Sequence, residues 1–256
     1  MGANLRVRTG IFGLDELVQG GFPTGSCVLV SGKVGTGKSI FATQYIARGI
    51  VGYGEMGVLV SFERDKKELY QDALGFGWQL QNLEKEGSLE ILGGSMARVA
   101  GEMSKAKATV EDLISEMVET VENSRSKRLA LERVEFLEML SQDKLEFMLQ
   151  LSDLKDSLRE LGCTFVLTSE VREGQEELSR VGAEELADGV IVLYYEGEGL
   201  TRDRALEIRK MRGTEHSNQL HFFDITNKGI AIKGMPEKPK VPRGRWGSRT
   251  PSEKTR

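Results

Sequence analysis

With 256 residues, 39% hydrophobic and 29% charged, the chain can bury one sizeable core, and a single large α/β domain is the economical organisation. No stretch approaches the roughly 20 consecutive apolar residues of a membrane span, and Met1 to Thr9 lacks the apolar centre of a secretion signal, so a cytoplasmic protein is expected. The formal charge of −4 divides unevenly: residues 233–256 hold eight Lys/Arg against two Asp/Glu, a surplus of +6 that leaves the remainder at −10.

In chain order, Cys27 to Ser31 is apolar and β-branched and predicts a buried strand, a glycine-rich loop runs on to Gly37, and Lys38 to Gly49 reads as a helix. Gly57 to Phe62 predicts a second buried strand, Lys66 to Leu74 a helix, and Leu89 to Leu92 a shorter strand after the break at Gly75 to Gly77. Leu113, Ile114, Met117, Val118 and Val121 form the apolar stripe of one helix, and Phe147, Leu151, Leu154, Leu158 and Leu161 that of another. Between them, Arg128 to Leu140 fits either a strand followed by a turn or a continuous helix; its period does not choose. Cys163 to Thr168 and Gly189 to Tyr195 predict buried strands, and Ala205 to Lys210, Gln219 to Asp224 and Gly229 to Ile232 short antiparallel ones. The expected fold class is therefore α/β, with a sheet that starts parallel and ends antiparallel. Cys27 and Cys163 lie in apolar runs and are expected as reduced, packed thiols, not as zinc ligands. Residues 1–233 are expected to form the domain. Residues 234–256, with Pro236, Pro239, Pro242 and Pro251, are expected to be a disordered basic tail.

The strongest motif is Gly32-Lys33-Val34-Gly35-Thr36-Gly37-Lys38-Ser39, which satisfies G-x-x-x-x-G-K-[ST] between a predicted strand and a predicted helix. Glycines let the backbone curl until successive N–H groups point inward at a β-phosphate, and the following helix N-terminus adds positive potential. Lys38 is placed to reach the β- and γ-phosphates, the Ser39 hydroxyl to ligate Mg²⁺, and Val34 and Ile40 to complete the ATP contact.

Thr9-Gly10-Ile11-Phe12-Gly13-Leu14-Asp15-Glu16-Leu17 and Gly20-Gly21-Phe22-Pro23-Thr24-Gly25, leading into that loop, resemble the KaiC branch of the RecA superfamily. The resemblance continues through Ser61-Phe62-Glu63, Leu167-Thr168-Ser169-Glu170, Ala187 to Leu193, Lys210-Met211-Arg212-Gly213-Thr214-Glu215-His216 and Phe223-Asp224-Ile225-Thr226, about residues 5 to 233. It is similar to one KaiC domain, not to the doubled clock protein. The resemblance implies a RecA-like sheet with helices on both faces, ATP and Mg²⁺ at the C-terminal strand ends, and a hexameric ring with nucleotide between neighbours. It further implies that Glu63 activates the attacking water, and that Lys210 and Arg212, on one face of a strand, reach a neighbour's γ-phosphate.

This sequence departs from the family at the end of the third core strand, where relatives place an aspartate and a serine: Glu132 and Arg133 stand there. Glutamate keeps the charge that serves the Mg²⁺ shell but adds a methylene, which near-ideal octahedral geometry tolerates poorly. Arg133 adds a cation, and Arg64 replaces a second acid often found after Glu63. Slow ATP turnover is expected. The resemblance further implies a comparison with the clock protein's second domain, which phosphorylates hydroxyl residues just before its last core strand; here Glu184-Glu185-Leu186-Ala187 offers none, with Ser179 a few residues earlier. Three functions compete: an ATPase coupling nucleotide state to a regulatory or signalling partner, a catalytically weak ATP-binding scaffold like those of archaeal motility assemblies, and a recombinase-like DNA-binding ATPase. Against the last, Ser169 to Asp188 has two Arg and seven Asp/Glu, which repels phosphate.

Overall fold

The computed structural model describes residues 5–171, 179, 181–197 and 202–234; the predicted basic tail lies outside them beyond Gly234. Strands β1 (Arg6–Val7) and β2 (Phe22–Pro23) pair as a small antiparallel sheet around the short helix α1 (Leu14–Leu17). Asp15 fixes this entry: its carboxylate accepts from the Thr9 amide at 2.8 Å and the Thr9 hydroxyl at 2.7 Å.

The body opens with β3 (Cys27–Gly32), α2 (Lys38–Tyr53), β4 (Gly57–Ser61), α3 (Lys66–Leu74), α4 (Leu80–Lys85) and β5 (Leu89–Gly93). It continues with α5 (Met96–Ala106), α6 (Val110–Ser124), β6 (Arg128–Glu132), α7 (Glu135–Leu140), α8 (Lys144–Glu160) and β7 (Thr164–Glu170). The last strands are β8 (Gly189–Glu196), β9 (Asp203–Met211), β10 (His221–Thr226) and β11 (Gly229–Ile232). They form one nine-stranded sheet, ordered β11-β10-β9-β8-β3-β7-β6-β4-β5, parallel from β8 to β5 and antiparallel from β8 to β11. The predicted α/β class and the antiparallel edge are both present.

Alternation along β3 sends Val28 and Val30 to one face and Cys27 and Leu29 to the other, which is why the run is apolar throughout. The first face packs under α2, α3 and α4 with Phe41, Tyr45, Ile46 and Leu69; the second under α5 to α8 with Val121, Phe147, Leu151, Leu154 and Leu158. No described helix is long and apolar enough to cross a membrane.

The segment that sequence left open resolves as strand, turn and helix. All five β6 residues are buried between β4 and β7, a place only a strand can fill, and Arg133 with φ 61° turns the chain before α7. Arg128 can head this strand because its fully buried guanidinium pairs with Glu55 at 2.5 Å and lies over the rings of Tyr45 and Tyr53. The two helices not anticipated beyond α1, α4 and α5, bury few residues, Leu80 in one and Val99 and Met103 in the other.

Candidate active site

The parallel strands end together at one edge, and the register puts Gly32 beside both Glu170 and Leu193, and Ser61 beside Glu132. From Gly32 the chain curls through Gly35 (φ 81°) and Gly37 (φ 106°), left-handed positions that suit glycine, into the 16-residue α2. A Cβ on Gly32 would stand 2.5 Å from the Leu193 carbonyl oxygen and 2.7 Å from the Thr36 hydroxyl. Buried Thr36 braces the loop by donating to the Lys33 carbonyl at 2.9 Å, and Lys38 Nζ donates to the carbonyls of Gly32 at 2.8 Å and Lys33 at 3.0 Å. Burial lowers the Lys38 pKa from its ordinary value, against the opposing pull of Glu170, Glu135 and Glu63.

A cleft of about 300 Å³ opens over this loop, lined by Val34, Gly35, Gly37, Lys38, Ser39 and Ile40. Across from them stand Glu63 after β4, Arg133 after β6, Thr168, Ser169 and Glu170 at the end of β7, and Arg204 and Ile225 from the antiparallel strands. The glycine cradle, the lysine beneath it and the helix N-terminus suit a di- or triphosphate, and the Ser39 hydroxyl is an oxygen of the kind a divalent cation takes.

The sequence profile of the KaiC ATPase matches residues 7–237. The chain belongs to the KaiC ATPase family. A UPF0273 protein of Methanocaldococcus jannaschii is 35% identical over 237 residues, 89% of this chain and 96% of its own length. The circadian clock oscillator protein KaiC of Synechococcus elongatus is 35% identical over 228 residues, 89% of this chain but 44% of that protein, so the chain spans less than half of the clock protein's length. Among solved structures, a KaiC-like protein of Pyrococcus horikoshii superposes with a TM-score of 0.79 at 35% identity, covering 90% of this chain and 99% of that one.

Within this KaiC-family fold the residues singled out by sequence separate into three places. The loop residues and Glu63 share the cleft, apart from Gly32 and Thr36, which shape the loop from behind. Glu132 does not line it. Its carboxylate is fully buried and accepts from Arg64 at 2.8 and 3.0 Å and from the Ser61 hydroxyl at 2.8 Å, while Arg64 also grips Asp72 on α3 at 2.7 Å. Burial raises the Glu132 pKa, with Arg64 pulling the other way. The expected metal-side carboxylate is thus bonded within the protein, because the register sets it opposite Ser61 and within reach of Arg64.

Lys210 and Arg212 sit at the opposite edge of the sheet, where the end of β9 pairs with the start of β8. Lys210 donates to the Glu184 carbonyl at 3.2 Å, and Arg212, 57% exposed, pairs with Asp188 at 3.3 Å. Ser179 is buried and occupied, accepting from the Ala183 amide at 3.0 Å and bonding Glu184. Sequence assigned no cleft role to Arg204, Ile225 or Glu170. Ile225 and Glu170 lie in segments that carried the family resemblance, but their position over the loop depends on strands far apart in the chain. Buried Glu135, whose carboxylate accepts from the Ser169 hydroxyl at 2.5 Å and the Glu170 amide at 2.6 Å, also went unnoticed as an anchor of that wall.

Proposed function

We propose that this chain binds ATP with Mg²⁺ in the cleft over Gly32 to Ile40, hydrolyses it slowly at the interfaces of a ring, and couples nucleotide state to a regulatory or signalling protein. The observation that carries the reading is the joint placement of the phosphate loop and Glu63 in one cleft, with Glu132 withdrawn behind Arg64. Loop amides and Lys38 hold the phosphates; Glu63 orients a water toward the terminal phosphorus and accepts its proton. Magnesium, when held by Ser39 and the phosphates, neutralises charge on the leaving group. Since Arg64 and Ser61 occupy the Glu132 carboxylate, less protein charge orders the metal shell, which lowers turnover more than binding. Lys210 and Arg212, remote from the cleft of their own chain, serve the cleft of a neighbour, completing it only on assembly.

Size measurement with and without ATP and Mg²⁺, alongside ATP hydrolysis, tests this on wild type, Lys38→Ala and Arg212→Ala. The wild type is expected to assemble with nucleotide and to turn over well below the roughly 10 s⁻¹ of a median enzyme. Lys38→Ala should lose binding, and Arg212→Ala should keep binding while losing about a thousandfold or more in rate, on the scale of an arginine supplied in trans. Brisk turnover would overturn the slow-hydrolysis reading, and an assembly indifferent to nucleotide and to Lys38 would overturn the interface site. The withdrawn Glu132 favours, as a second reading, an ATP-binding scaffold in which hydrolysis is negligible.

A further inference from the structure

We propose that Arg133 is a second phosphate-binding cation of the cleft, supplied in cis, which reads the terminal phosphate and so favours ATP over ADP; this rests on the nucleotide reading of the cleft. The first observation is conformational. Arg133 holds φ 61°, a left-handed backbone that an L residue with a Cβ adopts at a cost. The conformation is imposed from β7: the Arg133 amide donates to the Thr168 hydroxyl at 3.0 Å, and the Val134 amide to the Thr168 carbonyl at 3.0 Å. Such strain persists where the surroundings over-determine it, and it gathers at ligand sites.

The second observation is where the side chain goes. Its guanidinium lines the cleft, 3.7 Å from the Glu63 carboxylate and 3.9 Å from that of Glu170, with the side chain 32% exposed. Both contacts exceed hydrogen-bond length, so they are loose ion pairs. Arg64, by contrast, is closed onto Glu132 and Asp72 at 2.7 to 3.0 Å. An incoming phosphate offers Arg133 what the two carboxylates do not, close oxygens in the spacing of its fork.

The third observation fixes which phosphate. The loop amides and Lys38 hold one side of the cleft, and Arg133 stands against Glu63, the residue placed to act on water beyond the terminal phosphorus. A terminal phosphate therefore arrives between Lys38 and Arg133, whereas a diphosphate ends short of it. When Arg133 turns to that phosphate, Glu63 is released from its ion pair and becomes available to its water. The arginine supplies fixed positive charge on the side where Arg64 has withdrawn the Glu132 carboxylate.

Calorimetric titration of a non-hydrolysable ATP analogue and of ADP, each with magnesium, into wild type, Arg133→Gly and Arg133→Lys tests the proposal. Glycine accepts the left-handed backbone, so that variant removes the side chain without disturbing the turn. The wild type is expected to prefer the analogue. Arg133→Gly should weaken the analogue by about tenfold or more, the scale of one charge-assisted hydrogen bond, and ADP by no more than about twofold. Arg133→Lys, with charge but no fork, should lie between. An analogue-to-ADP ratio unchanged in both variants, or equal in the wild type, overturns this inference and leaves the nucleotide site standing; a wild type that binds neither overturns both.

Discussion

At Gly32, the absence of one carbon shapes the phosphate loop. The position lies between β8 and β7, with the Leu193 carbonyl 2.5 Å and the Thr36 hydroxyl 2.7 Å from where a Cβ would be built. A backbone carbonyl inside a sheet cannot retreat as a side-chain tip can, so Gly32→Ala forces strand and loop apart. The expected loss is roughly 1 to 3 kcal/mol, by the cost of overpacking, or roughly 2 to 4 °C of melting temperature per kcal/mol in a chain of this size. The variant should also lose the rise in melting temperature that ATP and Mg²⁺ produce in the wild type. A Gly32→Ala protein that melts normally and still responds to ATP would contradict the close approach. Arg64 belongs to this scale too: sequence identified it as replacing an acid, and the folded chain adds that it binds the carboxylate expected on the metal.

Among the helices, α3 (Lys66–Leu74) is the one that falls where sequence expects it, near Lys66 to Leu74. The physical reason is local. Asp65 accepts from the amides of Lys67 at 2.9 Å and Glu68 at 3.0 Å, and Glu68 returns a bond to the Asp65 amide at 3.0 Å, so the D-x-x-E pattern satisfies the helix start by itself. Asp65→Ala is expected to cost about 1 kcal/mol, measured by denaturant unfolding; no loss would mean that packing alone starts the helix. Because α3 also carries Asp72, the second grip on Arg64, the same variant should raise amide exchange in the residues following Glu63.

At the scale of the whole molecule, Asp188 joins elements from both ends of the chain at the sheet edge opposite the cleft. Its carboxylate accepts from the Cys27 amide at 3.0 Å, Arg159 at 2.7 Å, and Lys155 and Arg212 at 3.3 Å each, tying β3, α8 and the end of β9 to the start of β8. Burial pushes this carboxyl up, but the Cys27 amide, Lys155 and Arg159 outweigh it and hold it below the ordinary 3.8. A carboxyl depressed in the folded state adds stability that is complete well above 3.8 and is lost as pH falls through the folded value. Asp188→Asn should therefore cost about 2 kcal/mol at pH 7, with the gap to wild type closing in acid; a gap constant with pH would show that the charge is not what matters. The variant also releases Arg212, so the trans rate contribution proposed for that residue should fall with it.

Much of this protein is legible in one dimension. The phosphate-loop motif, the α/β class and the switch from parallel to antiparallel strands follow from short-range patterns, because a turn, a cap or an apolar run is stated by adjacent residues, whereas the part expected of Glu63 comes from the family resemblance. Even the short helix α3 is written in its own first turn. What tertiary structure alone decided is who meets whom across the sheet: that Glu132 faces Ser61 and Arg64, that Arg133 turns left-handed under Thr168 and enters the cleft, and that Arg128 stays buried against Glu55 and two tyrosines. Strand register and the order β8-β3-β7-β6-β4 set those encounters. Partners separated by scores of residues leave no period in the sequence by which to find one another.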